Sequence, residues 1–186
     1  MIIHLNGWPG VGKLTIGRHV AERLDGRLLD NHAIYNLAFS LTDFRSPEFY
    51  ALVRSVRDAA FQRVAEISPT VPVVMTNAYG RSEWAQENWR IIRDLANRRG
   101  SRFFAVTITC SDEEHLKRIA SEDRTPLGKL TDRRELPAVL GPLMEDGAEH
   151  LLRLDTTDIA PEQSAAMICD WIQEVLSSPG CFGSVI

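Results

Sequence analysis

Apolar and polar positions alternate along the chain in two distinct ways. Five short, nearly continuous apolar runs predict buried strands, at residues 2–5, 27–30, 71–76, 102–109 and 151–154. Elsewhere apolar residues recur every three or four positions and predict helices, at residues 13–24, 33–41, 47–67, 83–98, 112–122, 135–145 and 161–176. Strands that alternate with helices favour an α/β fold, in which a parallel sheet carries helices on both faces. Ligands bind such sheets at the edge formed by the carboxyl ends of the strands.

The first predicted strand runs directly into GWPGVGKLT, and a helix follows. Gly7, Gly12 and Lys13 form the G-x-x-x-x-G-K pattern, whose backbone N–H groups surround phosphate oxygens at a helix N-terminus. Lys13 adds a positive charge at the β- and γ-phosphates. The next position, which usually carries a hydroxyl, is Leu14, and Thr15 comes one residue late. A glycine-rich turn without a ligand is the alternative, but the strand–loop–helix context favours nucleotide binding by Gly7, Trp8, Pro9, Gly10, Val11, Gly12, Lys13, Leu14 and Thr15.

Polar residues follow the second predicted strand, where Asp30-Asn31-His32 is expected to open a loop. Asp30 is a candidate to reach Mg²⁺ or to accept the proton of a substrate hydroxyl. His32 is the alternative base, because an imidazole titrates near neutrality. The structural alternative is that Asp30 caps a helix and His32 is an ordinary loop residue.

Neutral residues follow the third predicted strand, where many P-loop enzymes place an aspartate that organises Mg²⁺. Thr76 and Asn77 stand there and are candidates to orient water or a substrate hydroxyl, unless they only cap the strand end. Arg81 is a candidate clamp for an anionic group. The missing carboxylate argues against a mechanical ATPase.

A charged segment after the fourth predicted strand contains Arg118, Arg124 and Lys129, interrupted by Pro126 and Gly128. Arginines that close over a transferring phosphoryl group stabilise its charge and exclude water. The segment therefore predicts a lid at about residues 120–135, and a solvated charged face is the alternative. After the last strand, Thr156 is a candidate to receive the adenine edge, although a simple turn explains the same residues.

The composition narrows the class of protein. The chain has 186 residues, 44% of them hydrophobic, which predicts one soluble domain over residues 1–176 and a tail at 177–186. A formal net charge of −4 argues against nucleic-acid or membrane partners, and no apolar run is long enough to span a bilayer. Three cysteines without metal-ligand spacing indicate reduced thiols and a cytoplasmic location. The expected partner is a small molecule, bound by a monomer or homodimer.

These motifs together resemble the P-loop small-molecule kinases of the adenylate, shikimate and gluconate kinase group, including chloramphenicol phosphotransferase-like proteins. The resemblance rests on residues 7–15, Asp30-Asn31-His32, Arg118 with Arg124, and Leu154-Asp155-Thr156-Thr157. It covers most of residues 1–176. It implies a three-layer P-loop NTPase fold, a five-stranded sheet ordered 2-3-1-4-5, ATP with Mg²⁺, and an arginine-bearing lid. It also implies an acceptor site between the second strand and the helices before the third.

The resemblance bears on two unusual positions. The adenylate-kinase loop, G-x-P-G-x-G-K-G-T, also lacks a hydroxyl directly after the lysine, so Leu14 is compatible with activity. Shikimate kinases end the second strand with D-x-D, and in this chain His32 stands in place of the second aspartate. The chloramphenicol phosphotransferase-like proteins also have a catalytic aspartate near this position. The identity of the base and of the acceptor therefore stays open.

The sequence predicts an ATP-dependent kinase that transfers the γ-phosphate to a hydroxyl of a small molecule. Magnesium is expected near Thr15, through bound water, and near Asp30. A nucleoside-monophosphate kinase, or a regulatory protein that hydrolyses nucleotide slowly, is the alternative. The expected catalytic residues are Lys13, Asp30, His32, Arg118 and Arg124.

Overall fold

A computed structural model of the chain describes residues 1–120 and 141–178. Its strands are β1 (Ile2–Asn6), β2 (Arg27–Asp30), β3 (Val73–Asn77), β4 (Phe103–Thr109) and β5 (His150–Asp155). Its helices are α1 (Lys13–Arg23), α2 (Asn31–Leu41), α3 (Pro47–Glu66), α4 (Glu83–Arg98), α5 (Asp112–Ile119) and α6 (Pro161–Ser177).

The strands form one parallel sheet in the order β2-β3-β1-β4-β5, which confirms the expected P-loop NTPase fold. The central strand β1 pairs with β3 and β4, so that Asn6 lies opposite both Asn77 and Thr107. Since all strands run in the same direction, their carboxyl ends meet at one edge. The phosphate loop begins at that edge.

Alternate residues of the strands enter two separate cores. Ile2 and Met75 pack beneath α2, α3 and α4, whereas Ile3 and Val74 pack beneath α1 and α6. Because helices cover both faces, nearly every residue of the three central strands is buried. This is why those strands appear in the sequence as continuous apolar runs.

Three predicted helix starts are confirmed by side-chain caps. Ser46, Ser82 and Ser111 each accept a hydrogen bond from the backbone N–H three residues later. Pro47 follows the first of these caps at a position where a helix does not need the missing N–H. Gly100, in the left-handed conformation at φ 62°, follows the end of α4.

The structure corrects two predicted boundaries near the site. Residues 31–32 do not form a loop, because α2 begins directly at Asn31. Asp30 occupies the N-cap position without a side-chain cap, and the Thr76 hydroxyl accepts the Asn31 N–H instead. Strand β3 begins at Val73, since Pro72 has no N–H to contribute to the ladder.

The helix expected at residues 135–145 is absent from its described part. Residues 141–145 have no regular secondary structure, and Asn6 donates to the Met144 carbonyl while the Met144 N–H donates to the Tyr79 carbonyl. Trp89 also donates to the Asp146 carbonyl. These long-range bonds satisfy backbone groups that a helix would pair locally. Residues 121–140 and 179–186, which include most of the expected lid and tail, lie outside the described residues.

Within residues 1–120 and 141–178, no helix has the length and apolarity needed to cross a membrane.

Candidate functional site

The glycine-rich loop between β1 and α1 adopts a backbone that needs its glycines. Gly10 and Gly12 have φ of 104° and 97°, in the left-handed region that side chains disfavour. A Cβ on Gly7 would lie 2.6 Å from the Ile108 carbonyl oxygen. Lys13, the first residue of α1, donates from Nζ to the carbonyls of Gly7 at 2.7 Å and Trp8 at 3.0 Å. The lysine head therefore lies over the loop where a nucleotide's phosphates would bind.

Helix α5 contacts the outer side of this loop. The buried His115 places Nε2 2.6 Å from the Pro9 carbonyl oxygen, which can only accept, so Nε2 carries the proton. One turn later, Arg118 donates to the Val11 carbonyl at 3.2 Å. His115 was not predicted as a site residue, although its spacing of three from Arg118 places the two on one helix face.

Arg118 also joins the loop to the segment after β5. It donates to the hydroxyl of Thr156 at 3.0 Å and to the Thr156 carbonyl at 2.6 Å, and it pairs with Glu114 at 2.8 Å. The structure thus brings Arg118 and Thr156 together beside the phosphate loop. Arg124 lies outside the described residues.

Asp30 lies at the carboxyl end of β2 and is held from β3. The Thr76 hydroxyl donates to Asp30 Oδ1 at 2.6 Å and accepts from the Asn31 N–H at 3.2 Å. Thr76 itself is buried. One hydroxyl therefore positions both the carboxylate and the start of α2.

A second set of hydrogen bonds joins β1, the end of β3 and the start of α2. The Asn77 amide nitrogen donates to Asn31 Oδ1 at 2.7 Å, and its Oδ1 lies 2.9 Å from Nε2 of His4 on β1. His4 is completely buried, between Tyr79 at 5.7 Å and the edge of Trp89 at 5.2 Å. Burial lowers the pKa of His4 from 6.5 to about 4; the bond to Asn77 opposes this shift and the charge of Lys13 adds to it.

A pocket, here called the inner pocket, lies between the β2–β3 side of the sheet and helices α2, α3 and α4. Its polar groups include Thr76 and Asn77 from the strand end and Tyr35, whose hydroxyl accepts from Trp84 at 3.0 Å. Burial raises the pKa of Tyr35, which keeps the phenol neutral. The residues that line the pocket are Leu29, Asn31, Ile34, Tyr35, Val53, Arg57, Phe61, Met75, Thr76, Asn77, Tyr79 and Asn88.

Arg57 is the cation of the inner pocket, and 7% of its side chain is exposed. Its Nη1 donates to Asn88 at 2.8 Å, while Nε and Nη2 donate to Asp58. Sequence reasoning missed Arg57 because helix α3 carries no motif. The available signal was an arginine four residues after Val53, on the apolar stripe that faces the sheet.

Several residues that were predicted to belong to the site have other contacts or surroundings in the structure. His32 is not among the residues that line the inner pocket, and its Nδ1 lies 3.2 Å from Asn36 Oδ1 on α2. Arg81 pairs with Asp146. Thr15 is exposed on α1, and Leu14 is half-buried. In the described parts of the chain, no three His, Cys, Asp or Glu side chains gather into a metal-binding group.

The parallel sheet and the glycine loop followed by a lysine define a P-loop protein, and the inner pocket lies at the same sheet edge as its phosphate loop. A family model described as an AAA domain matches residues 3–135. The chain is also similar to a shikimate kinase of Paracidovorax citrulli (strain AAC00-1), with 30% identity over 156 residues that cover 81% of this chain and 80% of that protein.

Solved structures support the same fold. The shikimate kinase from Acinetobacter baumannii in complex with shikimate aligns with a TM-score of 0.58 at 22% identity, over 94% of this chain and 93% of that one. A gluconokinase from Sinorhizobium meliloti 1021 aligns with a TM-score of 0.54 at 16% identity, over 94% of each chain. The chain belongs to this AAA-domain family and to the P-loop small-molecule kinases of the shikimate kinase type.

Proposed function

We propose that the protein transfers the γ-phosphate of ATP to a hydroxyl group of a small molecule bound in the inner pocket. The observation that carries this proposal is that the phosphate loop and the inner pocket lie at the same edge of the sheet. Strand β1 continues into the phosphate loop, and the neighbouring β3 ends in Thr76 and Asn77, which line the pocket. The Gly7 N–H donates to the Asn77 carbonyl at 3.3 Å, so the first residue of the loop is bonded to the pocket wall.

Different residues of the site are proposed to bind different parts of ATP. Backbone N–H groups at the end of the loop and in the first turn of α1 bind the phosphates together with the Lys13 ammonium, while Arg118 and Thr156 receive the nucleotide from the side of α5. Asp30 and Thr15 are the residues proposed to hold Mg²⁺, through water where needed, and the ion would supply charge neutralisation at the phosphates. We propose that Arg118, with Arg124, stabilises the transferred phosphoryl group.

Asp30 is the better candidate for the group that accepts the hydroxyl proton. Thr76 holds its carboxylate in place, and its neighbour Asn31 lines the inner pocket. His32 also adjoins Asn31, but its Nδ1 lies 3.2 Å from Asn36 Oδ1 on its own helix, so the bond from Thr76 is what distinguishes Asp30. The base is therefore proposed to act from the strand end, where a substrate hydroxyl faces both the pocket and the phosphate loop.

Arg57 supports an acceptor that carries a negative charge. A guanidinium is always charged, and a buried one favours an anionic partner. Asp58 neutralises part of this charge, but Asp58 lies mostly at the surface. Shikimate, named for the relatives, and gluconate, named for a structural neighbour, are hydroxylated carboxylates of this kind and are the first acceptors to test.

Acceptor-dependent ADP release tests the proposal. Purified protein with ATP and Mg²⁺ is incubated with shikimate, gluconate, nucleoside monophosphates, aminoglycosides and phenicols, and phosphorus NMR identifies the product. We expect a phosphate ester of a hydroxylated carboxylate, and we expect Lys13→Met to abolish it. A product formed only from nucleoside monophosphates would make the protein a nucleoside-monophosphate kinase. Slow ADP release that no acceptor increases would favour a regulatory protein.

The contribution of Arg57 is tested with the same assay. We expect Arg57→Met to raise KM for the anionic acceptor about tenfold or more while KM for ATP stays the same, since a charged hydrogen bond contributes roughly 1.5–3 kcal/mol. Arg57→Lys retains the charge and serves as the control. Equal KM values for wild type and Arg57→Met would remove the argument for an anionic acceptor.

A further inference from the structure

A chain of side-chain hydrogen bonds connects the buried core to the inner pocket. It begins at His4 on β1, passes through Asn77 at the end of β3 and ends at Asn31 at the start of α2. Asn31 lines the pocket. His4 does not, and its ring lies among Tyr79, Trp89 and Phe103. A residue that touches no ligand is thus linked to one that is placed to do so.

The donor-to-acceptor direction of these hydrogen bonds depends on the position of one proton. An amide has a donor end and an acceptor end, so the state of His4 Nε2 decides which end of Asn77 faces it. The Nδ1 atom of His4 is buried without a hydrogen-bond partner among the described residues. If Nδ1 carried the proton, an N–H would be left unpaired in an aromatic environment, which proteins almost never allow.

The ring therefore carries its proton on Nε2, with a bare lone pair on Nδ1. Burial keeps the ring neutral, since its pKa is lowered to about 4. Nε2–H then donates to Asn77 Oδ1, which directs the Asn77 NH₂ toward Asn31 Oδ1 at 2.7 Å. That bond turns the oxygen of Asn31 toward Asn77, so its own NH₂ is the end left for the inner pocket.

We propose that His4 sets the direction of this chain and thereby makes Asn31 a hydrogen-bond donor toward the inner pocket, which selects acceptor molecules that present an oxygen lone pair at this point. The selection step rests on the function proposed above. The proton order does not, because it is a property of the protein without ligands. His4 is a positioning residue in this proposal, and Asn31 is the residue that contacts the acceptor.

Nitrogen NMR of the ligand-free protein tests the proton order. Labelling histidine with ¹⁵N and comparing wild type with His4→Phe assigns the signals of His4 among the five histidines of the chain. We expect a neutral ring protonated at Nε2 at pH 7. A ring protonated at Nδ1, or an imidazolium, would overturn the proposal. Labelled asparagine adds a second readout: the NH₂ protons of Asn77 should exchange slowly with solvent and those of Asn31 rapidly.

Kinetics with shikimate and gluconate as probes test the selection step. His4→Phe keeps an aromatic ring but removes the donor, so Asn77 and Asn31 lose their fixed orientation. We expect KM for the acceptor to rise about tenfold, the factor for one hydrogen bond of roughly 1.4 kcal/mol, with KM for ATP unchanged. His4→Gln supplies an N–H in place of Nε2–H and should restore most of the acceptor affinity.

Asn31→Asp provides a variant outside the buried core. Its carboxylate still accepts from Asn77 but presents an oxygen instead of an NH₂ to the pocket. We expect a loss of acceptor affinity of about tenfold or more, with the His4 tautomer unchanged in the NMR spectrum. An acceptor KM equal to that of wild type would refute the donor role of Asn31. If wild type phosphorylates neither probe, the proposed function fails for these acceptors, and the spectrum alone then decides the proton order.

Discussion

Replacing Thr76 by valine tests whether the end of β3 holds Asp30 in its working position. Thr76 is 2% exposed, and its hydroxyl donates to Asp30 at 2.6 Å and accepts from the Asn31 N–H at 3.2 Å. Valine keeps the shape and removes both bonds. A hydrogen bond to a charged group contributes roughly 1.5–3 kcal/mol, and an unpaired N–H costs roughly 1–3 kcal/mol.

The lower part of both ranges applies, because Asp30 is only half-buried and water can bind its carboxylate once the Thr76 hydroxyl is removed. We expect Thr76→Val to lower the free energy of unfolding by about 2 kcal/mol, or Tm by about 4–8 °C in a domain of this size. Because the carboxylate also loses its orientation, we expect kcat for acceptor phosphorylation to fall about tenfold or more. Urea unfolding followed by circular dichroism and acceptor-dependent ADP release measure the two effects.

Thr76→Ser is the matched control. It keeps the hydroxyl and removes the methyl group that packs near Gly17, at a cost of about 1 kcal/mol in stability. We expect its kcat to stay within about twofold of wild type, because the bond to Asp30 remains. Two results would refute the reasoning: a Thr76→Val enzyme with the kcat of wild type, or a Thr76→Ser enzyme that loses as much activity as Thr76→Val.

Three further predictions concern the phosphate loop and the core. Lys13→Met should weaken ATP binding about 100-fold in titration calorimetry, since a charged contact to phosphate is lost; equal affinities would contradict the placement of the phosphates. Gly10→Ala should destabilise the fold by about 1–3 kcal/mol, because φ is 104° and a Cβ would lie 2.7 Å from Ile119. Gly141→Ala, where a Cβ meets nothing within 4 Å, should be neutral in the same unfolding experiment. Because burial lowers the pKa of His4 from 6.5 to about 4, the unfolded chain binds a proton between these pH values that the folded chain does not. Stability should therefore fall as the pH drops from 6.5 to 4, by about 3 kcal/mol in total, and His4→Phe should remove this part of the slope in urea unfolding at pH 7 and pH 5.

The sequence by itself determined the order of the elements and the nature of the loop. Both depend on residues close together in the chain. The spacing of apolar residues distinguishes strands from helices, and the serines at positions 46, 82 and 111 cap helices through bonds three residues long. Likewise Gly7, Gly12 and Lys13 predict a phosphate loop, since the same short segment provides the turn, the N–H groups and the charge.

Other features depend on contacts between residues far apart in the chain. Thr76 and Asp30 are 46 positions apart, and His4 and Asn77 are 73 apart. These pairs meet only because β3 lies between β1 and β2 in a particular register, which the hydrophobic pattern does not specify. The same reason explains why residues 141–145 are not helical: Asn6 binds the Met144 carbonyl from 138 positions away.

Arg57 shows most clearly what only the tertiary structure decided. In the sequence it is one of several arginines on a long amphipathic helix, and only its spacing of four from Val53 separates it from the exposed ones. In the folded chain it is buried in the inner pocket and donates to Asn88 on another helix. Local patterns therefore predicted the phosphate loop, because a single short segment forms it. The wall of the inner pocket comes from β2, β3, α2, α3 and α4, and their packing alone brings its polar groups together.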